Sequence, residues 1–347
     1  MRIISIDAIR GGEILAESLM NEQRNVLIPA GTVLKKDYVP LIETFHIESL
    51  KIEDPYQSYE QPNPIINRNR LEVLVNWVKN LMERHIYHGS NCSLKEFEVI
   101  ANEIVREVNK ISEDTVIDME ERTADLYEHT VMVTLLSTMV AKKLHLDEKK
   151  QFNIAIGSLF HDIGIRYITV PYENCDMSKG DQINIFEYKK HTILGYSALD
   201  DQTWIPNIAK KMVLTHHEKS DGTGFPMHQR VKEIECKILQ ACDVFDCLIS
   251  GMECNRTSVQ YALEYIMQES GKMYEESIVN SLVSMIAKYP VGTTVKTNKE
   301  EQGVVISQTT DPIKPIIMII DTDEDKIKED RKHNLMLEEH ISILKVV

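Results

Sequence analysis

The sequence predicts a mainly α-helical protein, a helical bundle flanked by a small N-terminal β/α domain and a small C-terminal β segment. Three observations carry this. From Leu71 to about Lys288 apolar residues recur at three- and four-residue steps, as in Leu71, Leu74, Val75, Val78 and Leu81. Before this region, short apolar runs alternate with turn residues, and after it come three short β-like runs.

Residues 1–53 form the expected N-terminal domain. Its apolar runs at 3–9 and 26–28 are broken by Gly11-Gly12 and Pro29-Ala30-Gly31, and a short helical stretch near 36–45 precedes a last run at 47–52. Residues 54–68, with prolines at 55, 62 and 64 and no apolar period, read as a linker. A helical connector is expected at 69–119, where the Leu71 to Ile111 stripe suits a core face and could also serve as a homodimer seam. The main bundle is expected at 120–288. Pro171, Pro206, Pro226 and several glycines cut the helical region into eight or nine helices. Tyr289-Pro290-Val291-Gly292 ends it, and residues 289–347 form the β segment, with runs at 303–307, 315–320 and 340–346. The charged stretch 321–331 reads as a solvated loop or short surface helix.

The chain has 347 residues, a net charge of -15 and a pI near 5.3. Duplex nucleic acid and anionic membranes need a basic face, so neither is an expected partner. An anionic substrate would need local positive charge, which bound metal ions can supply. The six cysteines, at 92, 175, 236, 242, 247 and 254, contain no Cys-x-x-Cys pair. Neither a disulfide frame nor a zinc ribbon is indicated, and a reducing cytoplasmic setting is the simplest expectation. No apolar run approaches the roughly 20 residues of a spanning helix.

Chemistry concentrates at five places: His129, His161-Asp162, His191, His216-His217 and Asp243. His129 shares a helical face with Met132, Val133, Leu136 and Val140, so it should be buried. Alone it equally suits a hydrogen-bonded core histidine. The His161-Asp162 pair alone is an ordinary helix end, with Gly164 placed to finish the helix in a left-handed turn. His191 alone suits a surface histidine. His216-His217 runs directly into a turn built from Asp221, Gly222, Gly224, Phe225 and Pro226. Asp243 sits in an apolar helical stripe where a carboxylate is costly without a cation or donor.

Together these are five imidazoles and two carboxylates spaced by roughly 25 to 32 residues, about one helix plus one loop. Each helix can therefore deliver a ligand to one interior point. Mixed nitrogen and oxygen donors suit iron, manganese or zinc better than calcium or magnesium. Two ions about 3.5–4 Å apart, bridged by Asp162, would hold a hydroxide for in-line attack on phosphorus. No nucleophile elbow, phosphate loop or dinucleotide fingerprint competes with this reading.

The ordered set resembles the HD-GYP subfamily of HD-domain metal-dependent phosphohydrolases. The resemblance covers about residues 120–270. It rests on Leu159-Phe160-His161-Asp162-Ile163-Gly164, on Lys189-x-His191-x-x-x-Gly195, on residues 216–226 and on Asp243-Val244-Phe245-Asp246. Tyr289-Pro290-Val291-Gly292-Thr293 also looks like the flank of stand-alone members. The resemblance implies an HD-type bundle around two transition-metal ions, iron or manganese, that hydrolyses cyclic di-GMP to pGpG or GMP. It implies metal ligands His129, His161, Asp162, His191, His216, His217 and Asp243, with His161 and Asp162 at the catalytic centre. Substrate contacts would come from Asp221, Gly222, Gly224, Phe225, Pro226 and Arg256. Members with a third ion carry a glutamate one turn before the first histidine; here Asp125 is one methylene shorter, which argues against a third ion.

Three departures bear on phosphate handling. The His-Asp-x-Gly-Lys motif ends in Ile165, so its lysine is absent, and Arg166 is a neighbouring position with a different geometry. Gly-Tyr-Pro reads Gly224-Phe225-Pro226. The arginine-bearing segment after Asp246 reads Gly251-Met252-Glu253-Cys254-Asn255-Arg256, where Glu253 has the wrong sign for a phosphate. The leading reading is a signalling phosphodiesterase for cyclic di-GMP or a related cyclic dinucleotide. The alternative is a degenerate member that binds metal, and possibly a nucleotide, as a regulatory module for signalling partners. A phosphohydrolase for a smaller phosphoester is a third reading.

Overall fold

The computed structural model describes residues 2–20, 26–45, 47, 49–53, 62–88, 94–172, 179–321 and 326–347. At the N-terminus β1 (Arg2–Ser5) pairs antiparallel with β4 (Ser49–Ile52), and β2 (Leu19–Met20) with β3 (Val26–Ile28). A short helix, α1 (Val39–Glu43), lies between β3 and β4 in the chain. Ile4, Leu15, Leu34, Ile42, Leu50 and Ile52 close a small core of their own. Residues 54–61 of the expected linker lie outside the described residues, while Ile65 is already buried in the core of the bundle.

Ten helices follow among the described residues, slightly more than the proline and glycine pattern predicts. They are α2 (Arg68–His88), α3 (Phe97–Lys110), α4 (Leu126–Lys143), α5 (Glu148–Phe160), α6 (Gln182–Lys189), α7 (His191–Ala198), α8 (Asn207–Thr215), α9 (Ile234–Ser250), α10 (Val259–Gln268) and α11 (Glu276–Val283). Only Lys190 separates α6 from α7, a break that no proline or glycine announces. Helix α4 is buried on nearly every side and packs against α2, α3, α5, α9 and α11, so it is the central rod. The Asp125 carboxylate caps it, accepting from the Tyr127 and Glu128 amides at 3.1 and 2.9 Å. Asp147 caps α5 in the same way, through the Lys150 amide at 2.9 Å. Helix α9 ends at Gly251, whose φ of 78° permits the left-handed turn. Helices α2 and α3 share one continuous core with α4, α5, α8 and α9, through Leu74, Val78, Ile100 and Ile104.

The C-terminal sheet has the order β8-β7-β6-β5-β9, antiparallel throughout. Its strands are β5 (Thr294–Thr297), β6 (Gln302–Ser307), β7 (Ile316–Asp321), β8 (Lys326–Asn334) and β9 (Ile343–Val346). Alternate residues face opposite sides: Val305, Ile317 and Ile319 join one apolar cluster, and Val304, Ile306, Met318 and Ile320 join the other. The structure corrects the expected loop at 321–331, because most of it lies in β8, paired with β7 from Asp321↔Lys326 to Ile316↔Asn334. Its charged composition suits an edge strand, where charge discourages pairing with another chain. Strand β5 was likewise not expected from the sequence.

One buried carboxylate ties the parts together. Asp118 accepts from the Asn63 amide, the Val291 amide and the Gln308 side-chain amide at 2.9, 2.9 and 2.8 Å. The Ile3 amide also donates to Gly292 at 2.8 Å, joining the N-terminal domain to the start of the β segment. Among the described residues no helix is long and apolar enough to cross a membrane.

Candidate metal centre

The bundle brings all seven expected donors to one interior point. His129 projects from α4 and Asp243 from α9, while the others sit where helices start or stop. His161 and Asp162 follow α5, His191 opens α7, and His216 and His217 follow α8. His129, His161, Asp162, His191, His216 and Asp243 are at most 1% exposed, and His217 is 9% exposed.

Short hydrogen bonds fix the histidine rings. The Nδ1 atoms of His161, His191 and His216 meet the carbonyls of Ser158, Tyr188 and Val213 at 2.6, 2.8 and 2.8 Å. A carbonyl only accepts, so each Nδ1 carries the proton and each Nε2 lone pair is turned inward. His129 instead donates from Nδ1 to Asp246 Oδ2 at 2.6 Å, and Arg122 in turn pairs with Asp246. A carboxylate behind a histidine raises its strength as a ligand.

The inward atoms sort into two adjoining pockets. In the first, His129 Nε2 lies 3.2 Å from His161 Nε2 and 3.2 Å from Asp243 Oδ1, and Asp162 Oδ2 stands 3.4–3.6 Å from both histidines. In the second, His191 Nε2 is 3.1 Å from His216 Nε2, and Asp162 Oδ1 faces them at 3.6 and 3.5 Å. His217 joins this second group. Asp162 thus offers one oxygen to each pocket. Both Asp162 oxygens, Asp243 Oδ2 and His217 Nε2 are buried without a hydrogen-bond partner. Orphaned polar atoms at this depth are costly, and nitrogen donors facing one another repel, so the cluster is built for cations. Its imidazole and carboxylate composition fits first-row transition ions.

The electrostatics agree with that fit. Burial, with His216 and His161 alongside, pushes His191 down to about 3 against the pull of Asp162. Burial, His216 and His191 hold His217 well below the usual range, so both rings are neutral donors at pH 7. Burial opposes charge on His129, yet its bonds to Asp243 and Asp246 raise it to about 10. Asp162 and Asp243, despite burial, are held far below the usual carboxylate range by the surrounding histidines.

Comparison with known proteins follows the same residues. The HD domain family model matches residues 110–278, a span that contains every donor. Residues 110–278 therefore match the HD domain family. It is 26% identical over 188 residues to a cyclic di-GMP phosphodiesterase of Pseudomonas aeruginosa, covering 52% of this chain and 44% of that protein. It is 27% identical over 198 residues to a cyclic di-GMP phosphodiesterase of Thermotoga maritima, covering 55% and 50%. The chain therefore spans about half the length of these relatives. Among solved structures, Bd1817, an HDG"Y"P protein from Bdellovibrio bacteriovorus, superposes with a TM-score of 0.50 at 15% identity, covering 81% of this chain and 97% of that one. That likeness concerns the fold.

Within the HD domain, two glycines permit the assembly. A Cβ on Gly164 would lie 1.8 Å from the His191 carbonyl oxygen, so only glycine lets α7 bring His191 beside Asp162. This corrects the expected left-handed helix stop: Gly164 lies in a 3-10 turn after Asp162, and its role is close backbone approach. A Cβ on Gly224 would lie 2.4 Å from the Glu218 Cα and the His217 oxygen, so the following loop presses directly on the histidine pair. Glu218 holds that loop through the Met227 and Gln229 amides at 2.6 and 3.0 Å, and the Asp221 carboxylate is engaged within it by Thr223. Gly222 takes φ 81° there. Phe225 stacks on His217 with centroids 4.5 Å apart, and cis Pro226 follows.

The expected phosphate-contact positions look different. Ile165 is 2% exposed and shares an apolar cluster with Leu126, Tyr188, Cys247 and the fully buried Met252. Arg166 turns away to Glu83 at 3.0 Å. Asp125 is committed to its helix cap. Arg256 lies half-buried in the segment after α9.

Three contributors escaped sequence reasoning. Asp246 was visible as a second carboxylate in the α9 stripe, but its partners His129 and Arg122 were not. Tyr188 gave no sequence cue. Glu253 was read only as misplaced charge, whereas its Oε1 lies 3.2 Å from His217 Nε2 and accepts from the Tyr188 hydroxyl. Burial and the nearby Asp162 push its carboxyl well above the usual range.

Proposed function

We propose that this HD domain is a metal-dependent phosphodiesterase acting on cyclic di-GMP or a related cyclic dinucleotide, with a pair of iron or manganese ions. The observation that carries the reading is the placement of Asp162, one oxygen toward each of two donor pockets. His129, His161 and Asp243 would hold one ion, His191, His216 and His217 the other, and Asp162 would bridge them. Bound ions would polarise a phosphodiester and activate water next to it.

The chain's own residues support several requirements of that chemistry. The helix-end hydrogen bonds keep the rings in one tautomer, and Asp246 with Arg122 steadies His129. The apolar cluster around Ile165 and Met252 lowers access of bulk water on one side. Phe225 and Pro226, on the loop of Asp221, Gly222 and Gly224, lie beside the centre, with the Lys189 ammonium 5.2 Å from the Phe225 ring centroid. Arg256 is a candidate for a phosphate contact.

A second reading has its own observation. Ile165 is buried where a lysine was expected, and Glu253 stands 3.2 Å from His217 Nε2, which favours a module that binds metal without hydrolysing cyclic dinucleotides. The deciding experiment is anaerobic purification with iron or manganese, metal counting, and chromatography of cyclic di-GMP reactions beside an Asp162→Ala control. Two ions per chain with product lost in the control supports the enzyme. Two ions without product from any cyclic dinucleotide overturns it in favour of the binding module.

A further inference from the structure

Glu253 is held in place by its surroundings. It lies two residues after Gly251 and adopts φ 62°, a left-handed conformation that a side-chain-bearing residue rarely takes. Its amide donates to the Tyr172 carbonyl at 2.7 Å, and Tyr188 donates to its carboxylate. The side chain is 17% exposed. The outcome is a carboxylate oxygen 3.2 Å from His217 Nε2.

That approach is not a hydrogen bond, because His217 Nε2 is buried without a hydrogen-bond partner. Two donors on one ion, each bonded at about 2.0–2.2 Å, stand about 3.0–3.6 Å apart. The donor pairs of the two pockets share this signature: His129 Nε2 and Asp243 Oδ1 at 3.2 Å, His216 Nε2 and Asp162 Oδ1 at 3.5 Å. Glu253 and His217 have the same spacing, and His217 Nε2 is the buried atom of the pair that lacks a partner.

We propose that Glu253 is a further metal ligand on the His217 side of the centre, and that its carboxylate holds the position through which a phosphate oxygen would reach the ion. The inference rests on the metal-centre reading above. It makes the site self-capped: an incoming phosphate must displace a protein carboxylate held by Tyr188. With Ile165 and Met252 buried nearby, the centre then selects against strongly anionic esters unless Glu253 swings out.

The test uses the full chain loaded with cobalt(II), with cobalt counted, the visible spectrum recorded, and inorganic phosphate titrated. Glu253→Gln keeps the shape and weakens ligation. It should alter the cobalt band and bind phosphate about tenfold or more tightly than the wild type. Tyr188→Phe, which removes only the hydroxyl holding the carboxylate, should move both readouts in the same direction and serves if the first variant does not fold. Two cobalt ions per chain with either readout unchanged in the variants would overturn the role of Glu253 alone. A wild type that takes up no cobalt would overturn the metal-centre reading and this inference with it.

Discussion

Replacing Gly164 by alanine should empty half of the metal centre and leave the fold standing. The added Cβ would sit 1.8 Å from the His191 carbonyl oxygen and 2.7 Å from the Gly195 amide nitrogen, both backbone atoms that cannot rotate away. Restoring an ordinary contact near 3.4 Å moves the start of α7 back by about 1.5 Å. Metal sites tolerate about 0.2 Å in ligand distance, so His191 would be lost as a donor and the pocket it shares with His216 and His217 would fail. The first pocket, built from α4, α5 and α9, lies on the other side of Asp162 and should keep its ion. Overpacking of this kind costs about 1–3 kcal/mol, within the stability of an ordinary domain. The assay is metal counting after anaerobic reconstitution and desalting, beside denaturant unfolding. The expected result is about one ion per chain, against two in the wild type, with a cooperative transition retained. Gly195→Ala is the matched control, since its Cβ meets the movable side chains of Val213 and Ile163 at 3.0 and 3.4 Å and comes no nearer than 3.3 Å to backbone, at the Gly164 nitrogen. Two tightly held ions in Gly164→Ala would refute the argument.

Other outcomes follow from the same geometry. Asp246→Asn leaves the Arg122 guanidinium, 14% exposed, without its carboxylate and loosens His129. Metal affinity should fall about 10- to 100-fold, and stability by about 3 kcal/mol in urea unfolding; wild-type values for both would remove Asp246 from the supporting role. Ile165→Lys, which rewrites the motif toward the family pattern, should lower stability by at least about 2 kcal/mol rather than add activity, because the ammonium would enter an apolar cluster. A thermal melt equal to the wild type would contradict that. Metal uptake should release protons, since metal-free His129 is held protonated up to about 10 despite its burial. Calorimetry at pH 7.5 in two buffers of different ionisation heat should differ by about one proton or more per chain; identical heats would exclude it. In the metal-free chain the same elevation contributes stability that is fully present below about pH 6.5 and is lost as pH rises towards 10.

Much of the centre was legible because several of its histidines are announced by their place in a helical rhythm. His129 lies on an apolar face, and His216-His217 closes one run before a glycine turn. The bundle itself follows from apolar periodicity, which reports burial directly. What stayed hidden depends on contacts between elements distant in sequence. Tyr188 and Glu253 are 65 residues apart and meet only because α9 ends in a left-handed turn. Arg122 reaches Asp246 across 124 residues. Strand β8 was concealed by its charges, which mark its place at a sheet edge rather than a failure to form a strand. Gly164 was recognised, but the atom that demands it belongs to His191, one helix later.

The three rings anchored to carbonyls of their own chain segment have a consequence for how the protein acquires its metal. His161, His191 and His216 each lean on an oxygen three residues earlier, so their orientation is complete once the local turn has formed. No ion has to assemble them. A socket prefabricated in this way would take up an ion without rearrangement of these three rings. Its nitrogen and oxygen donors accept several first-row ions, so what fills it is decided by supply in the surroundings more than by the pocket's own preference. Under the metal-centre reading proposed above, iron and manganese would enter the same socket with no change in its backbone.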